Sequence, residues 1–221
     1  MRAKPFRSAT LAWAILLLWA PAGGAAEDDR PAHPAAAKRL IEFGWDEPDT
    51  AFLRHHIAEM EQTPFDGCVF HVVATTAQGG KENFTWLCWS RRAFTAVELE
   101  PALADLKATQ FRRFTHNFLR FNTAPADLDW FDDHSTILNN ARLAGRSARE
   151  GSCAGLLFDV EEYQGKLFTY AQQRDARSKP WNEYAAQARQ RGREVMEAFQ
   201  DGFPGLTVLL TFGHSLPRTG A

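Results

Sequence analysis

The residues best suited to chemistry close a single apolar run, Gly155-Leu156-Leu157-Phe158-Asp159-Val160-Glu161-Glu162. Successive side chains of an extended strand point to opposite faces, so Asp159 and Glu161 share one face while Phe158 and Val160 point to the other. Two carboxylates at that spacing can titrate as a coupled pair. Mutual repulsion and partial burial then raise one pKa toward the range a general acid needs near neutral pH. The competing arrangement is a structural ion pair with a neighbouring arginine, Arg120 for example. An otherwise apolar strand ending in three acids favours the catalytic arrangement.

Other polar side chains fall at the ends of similar runs. Five strands are expected: Arg39–Trp45, Gly67–Val73, a strand within Phe114–Asn122, Gly155–Glu161 and Leu206–Phe212. The first ends at Glu42, Trp45 and Asp46, the second at His71 and the third at Arg120 and Asn122. The fourth ends at Asp159, Glu161 and Glu162, and the fifth at Thr211 and His214. Four helices alternate with them, near Asp49–Gln62, Val97–Ala108, Ser135–Arg149 and Trp181–Phe199. Phe52, Leu53, Ile57 and Met60 are spaced to cover one face of the first, and Pro64 follows its end. Asp132, Asp133 and Ser135 are candidate caps for the third. Residues 74–96, with Gly79-Gly80, Trp86 and Trp89, read as a long loop over one end of the sheet.

Strict β/α alternation with near-continuous apolar strands signals a parallel sheet covered by helices. No Gly-x-Gly-x-x-Gly follows the first strand, so a dinucleotide-type open sheet is disfavoured. The expected fold is α/β, a partial (β/α)8 (TIM) barrel of five parallel strands and four helices preceded by a signal peptide. Such a barrel collects its site at the C-terminal ends of the strands. The chain stops near the end of strand five, which suggests either a fragment or an open half-barrel with apolar edges at strands one and five.

On this frame Phe158-Asp159-Val160-Glu161 resembles the Asp-x-Glu signature of (β/α)8-barrel glycoside hydrolases, especially the chitinase-like ones. The resemblance implies that Glu161 protonates a glycosidic oxygen and that Asp159 orients it. The aspartates of the longer chitinase pattern are replaced here by Ala154 and Leu157. Broader retaining barrels also resemble the chain; they carry the acid/base on strand four and a nucleophile on strand seven. Glu42, Trp45, Asp46, His71, Arg120, Asn122, Glu162 and His214 are then the expected substrate-binding residues. Trp45, Trp86, Trp89 and Trp130 lie in or beside the loops, where indole rings can stack on sugar faces or simply pack. Trp181, at a helix start, is expected in the core.

The resemblance implies a carbohydrate substrate; no cofactor and no metal are expected. A non-catalytic carbohydrate-binding or cell-envelope module is the alternative. A metal-dependent hydrolase, with His71, His116 or His214 joining Asp159, is a third reading, although no His-x-His follows strand one. His55 and His56 belong to a helix surface, no Gly-x-Ser-x-Gly elbow marks a serine hydrolase, and Asn83-Phe84-Thr85 matches the glycosylation sequon.

Residues 1–26 read as a secretory signal peptide: a basic start (Arg2, Lys4, Arg7), an apolar run from Leu11 to Ala20 and small residues ending at Ala26. The run is about half the roughly twenty residues needed to span a bilayer, so no stable membrane span is expected after cleavage. Residues 27–37 form a linker, residues 38–221 the domain, and the expected location is secreted or periplasmic. Without the leader, the balance of 25 basic and 27 acidic residues becomes 22 against 27, which disfavours nucleic acid. Cys68, Cys88 and Cys153 allow at most one disulfide, and no zinc-ligand spacing is present.

Overall fold

The computed structural model describes residues 38–44 and 46–212. The signal peptide, the linker, Trp45 and His214 lie outside the described residues. Five parallel strands form one curled, half-barrel-like sheet: β1 (Ile41–Glu42), β2 (Gly67–Phe70), β5 (Phe118–Asn122), β6 (Gly155–Asp159) and β7 (Thr207–Leu210). Their order in the sheet is β1-β2-β5-β6-β7. All four pairings are parallel, with Asn122 opposite Asp159 and Arg120 opposite Leu157.

The alternation predicted from sequence holds, with each crossover carrying a helix. α1 (Thr50–Met60) starts at Asp49, whose carboxylate accepts the Phe52 N–H at 2.7 Å. It buries Leu53 and Ile57 but leaves Phe52 half-exposed and stacked on His56, so the apolar face is narrower than the spacing suggested. α3 (Ala96–Ala108) opens with a capping box between Thr95 and Glu98. α4 (Ser135–Glu150) is entered through Asp133, which accepts both the N–H and the hydroxyl of Ser135. α5 (Trp181–Gly202) buries Tyr184, Val195, Ala198 and Phe199. Trp181 itself is exposed rather than core, because it occupies the first helical position, ahead of the turns that meet the sheet.

Residues 74–96 are more ordered than a loop. Val73–Thr75 and Lys81–Asn83 form an antiparallel hairpin, β3 and β4, turned at Gly79 with φ +80°. A one-turn helix, α2 (Phe84–Leu87), follows, capped by the Asn83 side chain on the Trp86 N–H. The sequon asparagine thus serves as a helix cap. β2 is shorter than expected for the same reason: His71 bridges to Asp49, and Val73 already belongs to the hairpin.

Strand alternation divides the core in two. Cys68, Phe70, Leu119, Phe121, Leu156 and Phe158 face the helices, while Val69, Phe118 and Leu157 form a small cluster on the opposite face with Ile41, Ala154 and Leu209. The three cysteines are buried and unpaired. Trp89 and Trp130 are core residues in edge-to-face contact, and the Trp130 indole donates to the Leu167 carbonyl. α4 and α5 meet closely at glycines: a Cβ on Gly145 would lie 2.5 Å from the Phe199 carbonyl oxygen, inside contact distance with backbone. Gly145→Ala is therefore expected to separate the two helices and cost about 1–3 kcal/mol. Thermal melts check this, and an unchanged midpoint would show that the helices tolerate the extra methyl.

Candidate functional site

Arg120 projects from β5 on the face turned away from the helices, and its side chain is 4% exposed. A guanidinium taken so far out of water requires compensating charge and a full set of acceptors. Its Nη1 donates to Glu47 Oε1 at 2.9 Å and its Nε to Asn122 Oδ1 at 2.7 Å. Its Nη2 donates to Asp159 Oδ2 and, at 2.9 Å, to the Tyr163 hydroxyl oxygen. The rings of Trp86, Phe43 and Tyr163 surround the guanidinium carbon, with centroids 5.3, 5.5 and 5.9 Å away.

Asp159 is the anionic counterpart. Oδ2 accepts from Arg120 and from the Tyr163 hydroxyl at 3.0 Å; Oδ1 accepts from the Thr211 hydroxyl at 2.7 Å and the Glu161 N–H at 3.0 Å. Four donors fill the acceptor positions of one carboxylate. Burial alone would raise its pKa, but the hydrogen bonds from Thr211, the Glu161 backbone and Arg120 outweigh burial and hold it below the ordinary value. This corrects the expectation of a repelling acid pair: Asp159 is a clasped anion, and the ion pair with Arg120 is formed. β6 also ends at Asp159, so Glu161 lies in the loop beyond the strand.

The other buried acids move the opposite way. Burial raises Glu47, partly offset by Arg120 and reinforced by Asp159 and Glu42. Its second oxygen and the Asn122 amide nitrogen are buried with no hydrogen-bond partner among the described residues. Burial also raises Glu42. Tyr163 is strongly raised, first by burial and then by the neighbouring carboxylates of Glu161 and Asp159.

Above this network a cavity of about 490 Å³ opens at the C-terminal ends of the strands, lined by Phe43, Gly44, Glu161, Tyr163, Thr211 and Phe212, with Arg120 and Asp159 at its base. Phe43 and Phe212 leave about half of their surface open. Phe212 has φ +48°, an uncommon backbone state for a bulky residue.

Of the residues expected from sequence, Arg120, Asn122, Asp159 and Glu161 come together here. Glu42 pairs in register with Cys68 and does not line the cavity; it reaches the network only through its charge, which acts on Glu47. Asp46 and His71 line a separate cavity of about 270 Å³ with Asp49 and Phe52, where burial holds His71 below its usual pKa. Glu162 accepts from the Phe168 N–H and the Thr169 hydroxyl, so it shapes its own loop. His116 precedes β5, at the opposite end of the sheet from Asp159. Among the described residues no group of three or more His, Cys, Asp or Glu could hold a metal ion.

Glu47, Tyr163, Phe43 and Phe212 were not expected from sequence. Tyr163 lies four residues past Asp159 in the same βα loop, which is the usable signal. Glu47 carries none, because its approach to Arg120 depends on the Asp49–His71 bridge that draws the chain against β2. No family model, no curated protein and no solved structure matches this chain.

Two outcomes follow from the clasp. Arg120→Leu leaves two buried carboxylates without their cation and is expected to destabilise the fold by about 3–5 kcal/mol, measured by denaturant unfolding. For pH, Asp159 binds its proton less readily when folded, so its contribution to stability is present above its ordinary pKa and fades as pH falls below about 4 toward the depressed folded value. Asp159→Asn should therefore be less stable near neutrality and flatter on the acid side; parallel acid limbs for the two proteins would contradict the assignment.

Proposed function

We propose that this is an exported, glycan-directed half-barrel in which Glu161 acts as general acid/base. The observation that supports it is the division of labour between the two acids of the Asp-x-Glu segment. Asp159 has all four acceptor positions taken, whereas Glu161 opens into the cavity and takes no part in the ion pairs of Arg120. Asp159 still positions Glu161, since it accepts the Glu161 N–H, which is the helper role the resemblance implies. The exposed rings of Phe43 and Phe212 offer apolar faces of the kind that pack on pyranose rings, and Arg120, Tyr163 and Thr211 are polar groups beside them. The basic-apolar-small leader supports export to a secreted or periplasmic location.

One observation favours a second reading, a carbohydrate-binding module without turnover. A second carboxylate is needed to complete a two-acid glycosidase mechanism, and among the described residues lining the cavity the remaining acid, Asp159, is fully occupied. Glu161→Gln separates the two. If Glu161 is the acid, hydrolysis of a glycan substrate falls by about 10²–10⁴-fold with little change in KM. A rate within a few fold of the parent excludes the acid role, and glycan binding with no turnover by the parent identifies the binding module.

A further inference from the structure

The long helix α5 has two faces of different character. One buries Tyr184, Val195, Ala198, Phe199 and Gly202. On the other side Arg189, Arg193, Glu197 and Asp201, all exposed, follow one another at the four-residue spacing that keeps side chains on one stripe of a helix. Their order is the one a single helix favours least. The basic residues precede the acidic ones, so Arg193 and Glu197 stand in the weaker order for a pair within a helix, and Asp201 lies in the last turn, at the negative end of the helix dipole. Among the described residues the side chains of Arg189, Arg193 and Glu197 form no ion pair or hydrogen bond, and Asp201 meets Arg142 at 3.4 Å with both side chains more than half exposed.

The backbone of the same face carries a second anomaly. A glycine inside a helix is destabilising relative to alanine. Gly145 and Gly202 are required at the α4–α5 contact, where a Cβ would strike backbone, but a Cβ on Gly192 would meet nothing within 4 Å. Gly192 lines a shallow groove with Arg193, Met196, Glu197, Gln200 and Asp201.

Turned end for end, the stripe complements itself. We infer that the outer face of α5 docks a second copy of this chain, the two helices lying antiparallel across a two-fold axis at the level of Val195. Arg193 then stands opposite the partner's Glu197 and Arg189 opposite the partner's Asp201. The two-fold repeats each pairing, as in any isologous contact, and the antiparallel helix dipoles attract. The bare backbone at Gly192 lets the helices approach, and half-buried Met196 beside it supplies an adaptable apolar contact. This surface is separate from the cavity at the strand ends and does not depend on what that cavity binds.

Sedimentation equilibrium of the full chain tests the assignment. A monomer–dimer equilibrium is expected at low ionic strength, weak because exposed ion pairs contribute little each, and weaker still as salt is raised. Arg193→Glu sets like charges opposite one another twice in the dimer and should raise the dissociation constant at least about tenfold. Combining it with Glu197→Arg restores the complement and should return the constant to within about threefold of the parent. Gly192→Gln should leave the thermal midpoint unchanged or higher, since glutamine is the better helix former, while weakening the dimer. A parent that stays monomeric up to about 1 mM overturns the proposal. So does a dimer that Arg193→Glu leaves as tight as before, which would place self-association on another surface such as the strand edges, and so does a double variant no tighter than the single one.

Discussion

One buried guanidinium organises the open end of this sheet. Arg120 lies on the middle strand with its charge almost wholly withdrawn from water, and each group that satisfies it comes from a different part of the chain. Glu47 comes from the segment before α1, Asn122 from the end of β5, Asp159 from the end of β6 and Tyr163 from the loop after it. A buried ion pair is a poor source of net stability, since desolvation consumes much of the Coulombic gain. Its value here is geometric. The four hydrogen bonds of the guanidinium form together only when the β1–α1 segment, β5, β6 and the β6–α5 loop occupy one relative arrangement, and that arrangement frames the cavity.

The same network assigns roles to two acids that look equivalent in sequence. Asp159 is the last residue of its strand and keeps the strand's inward direction, so it is delivered to Arg120 and filled with donors. Glu161 follows after the strand has ended, with its backbone tied back to Asp159 and its side chain at the cavity. Strand alternation alone would have made them neighbours on one face. What separates them is that the ladder stops at Asp159: β7 ends at Leu210, and the next residue, Thr211, turns its side chain in, its Oγ1 accepting from the Val160 N–H and donating to the Asp159 carboxylate.

How much of this was legible follows from what each feature depends on. The five parallel strands and their helices were readable because apolar runs and helical spacing are local signals, and four of the polar strand-end residues, Arg120, Asn122, Asp159 and Glu161, lie together at the open end of the sheet. The hairpin at Val73–Asn83 was missed because its strands are three residues long, too short to show a period. Glu42 is the strand-end acid the apolar run indicated, but its register with Cys68 keeps it out of the cavity lining. For Trp89 and Trp130 sugar stacking and simple packing were both open, and packing is the outcome, because the loops fold inward and make those rings core. Glu47 was invisible because its position is set by a bridge between segments twenty-two residues apart, Asp49 and His71.

These misses share a physical origin that bears on the site itself. A residue's type announces what chemistry it can do, whereas its protonation and availability are decided by partners that sequence spacing does not reveal. Asp159 and Glu47 illustrate the point: both are carboxylates buried against the same arginine, yet one is held ionised by four donors while the other, with a single arginine contact and an unmatched oxygen, is pushed toward its neutral form. The number of donors, more than the presence of the cation, decides the direction. A carboxylate at the end of an apolar strand is thus as well suited to being the fixed charge that holds a site together as to being its reactive group, and in this fold the fixed charge is the one closer to the strand.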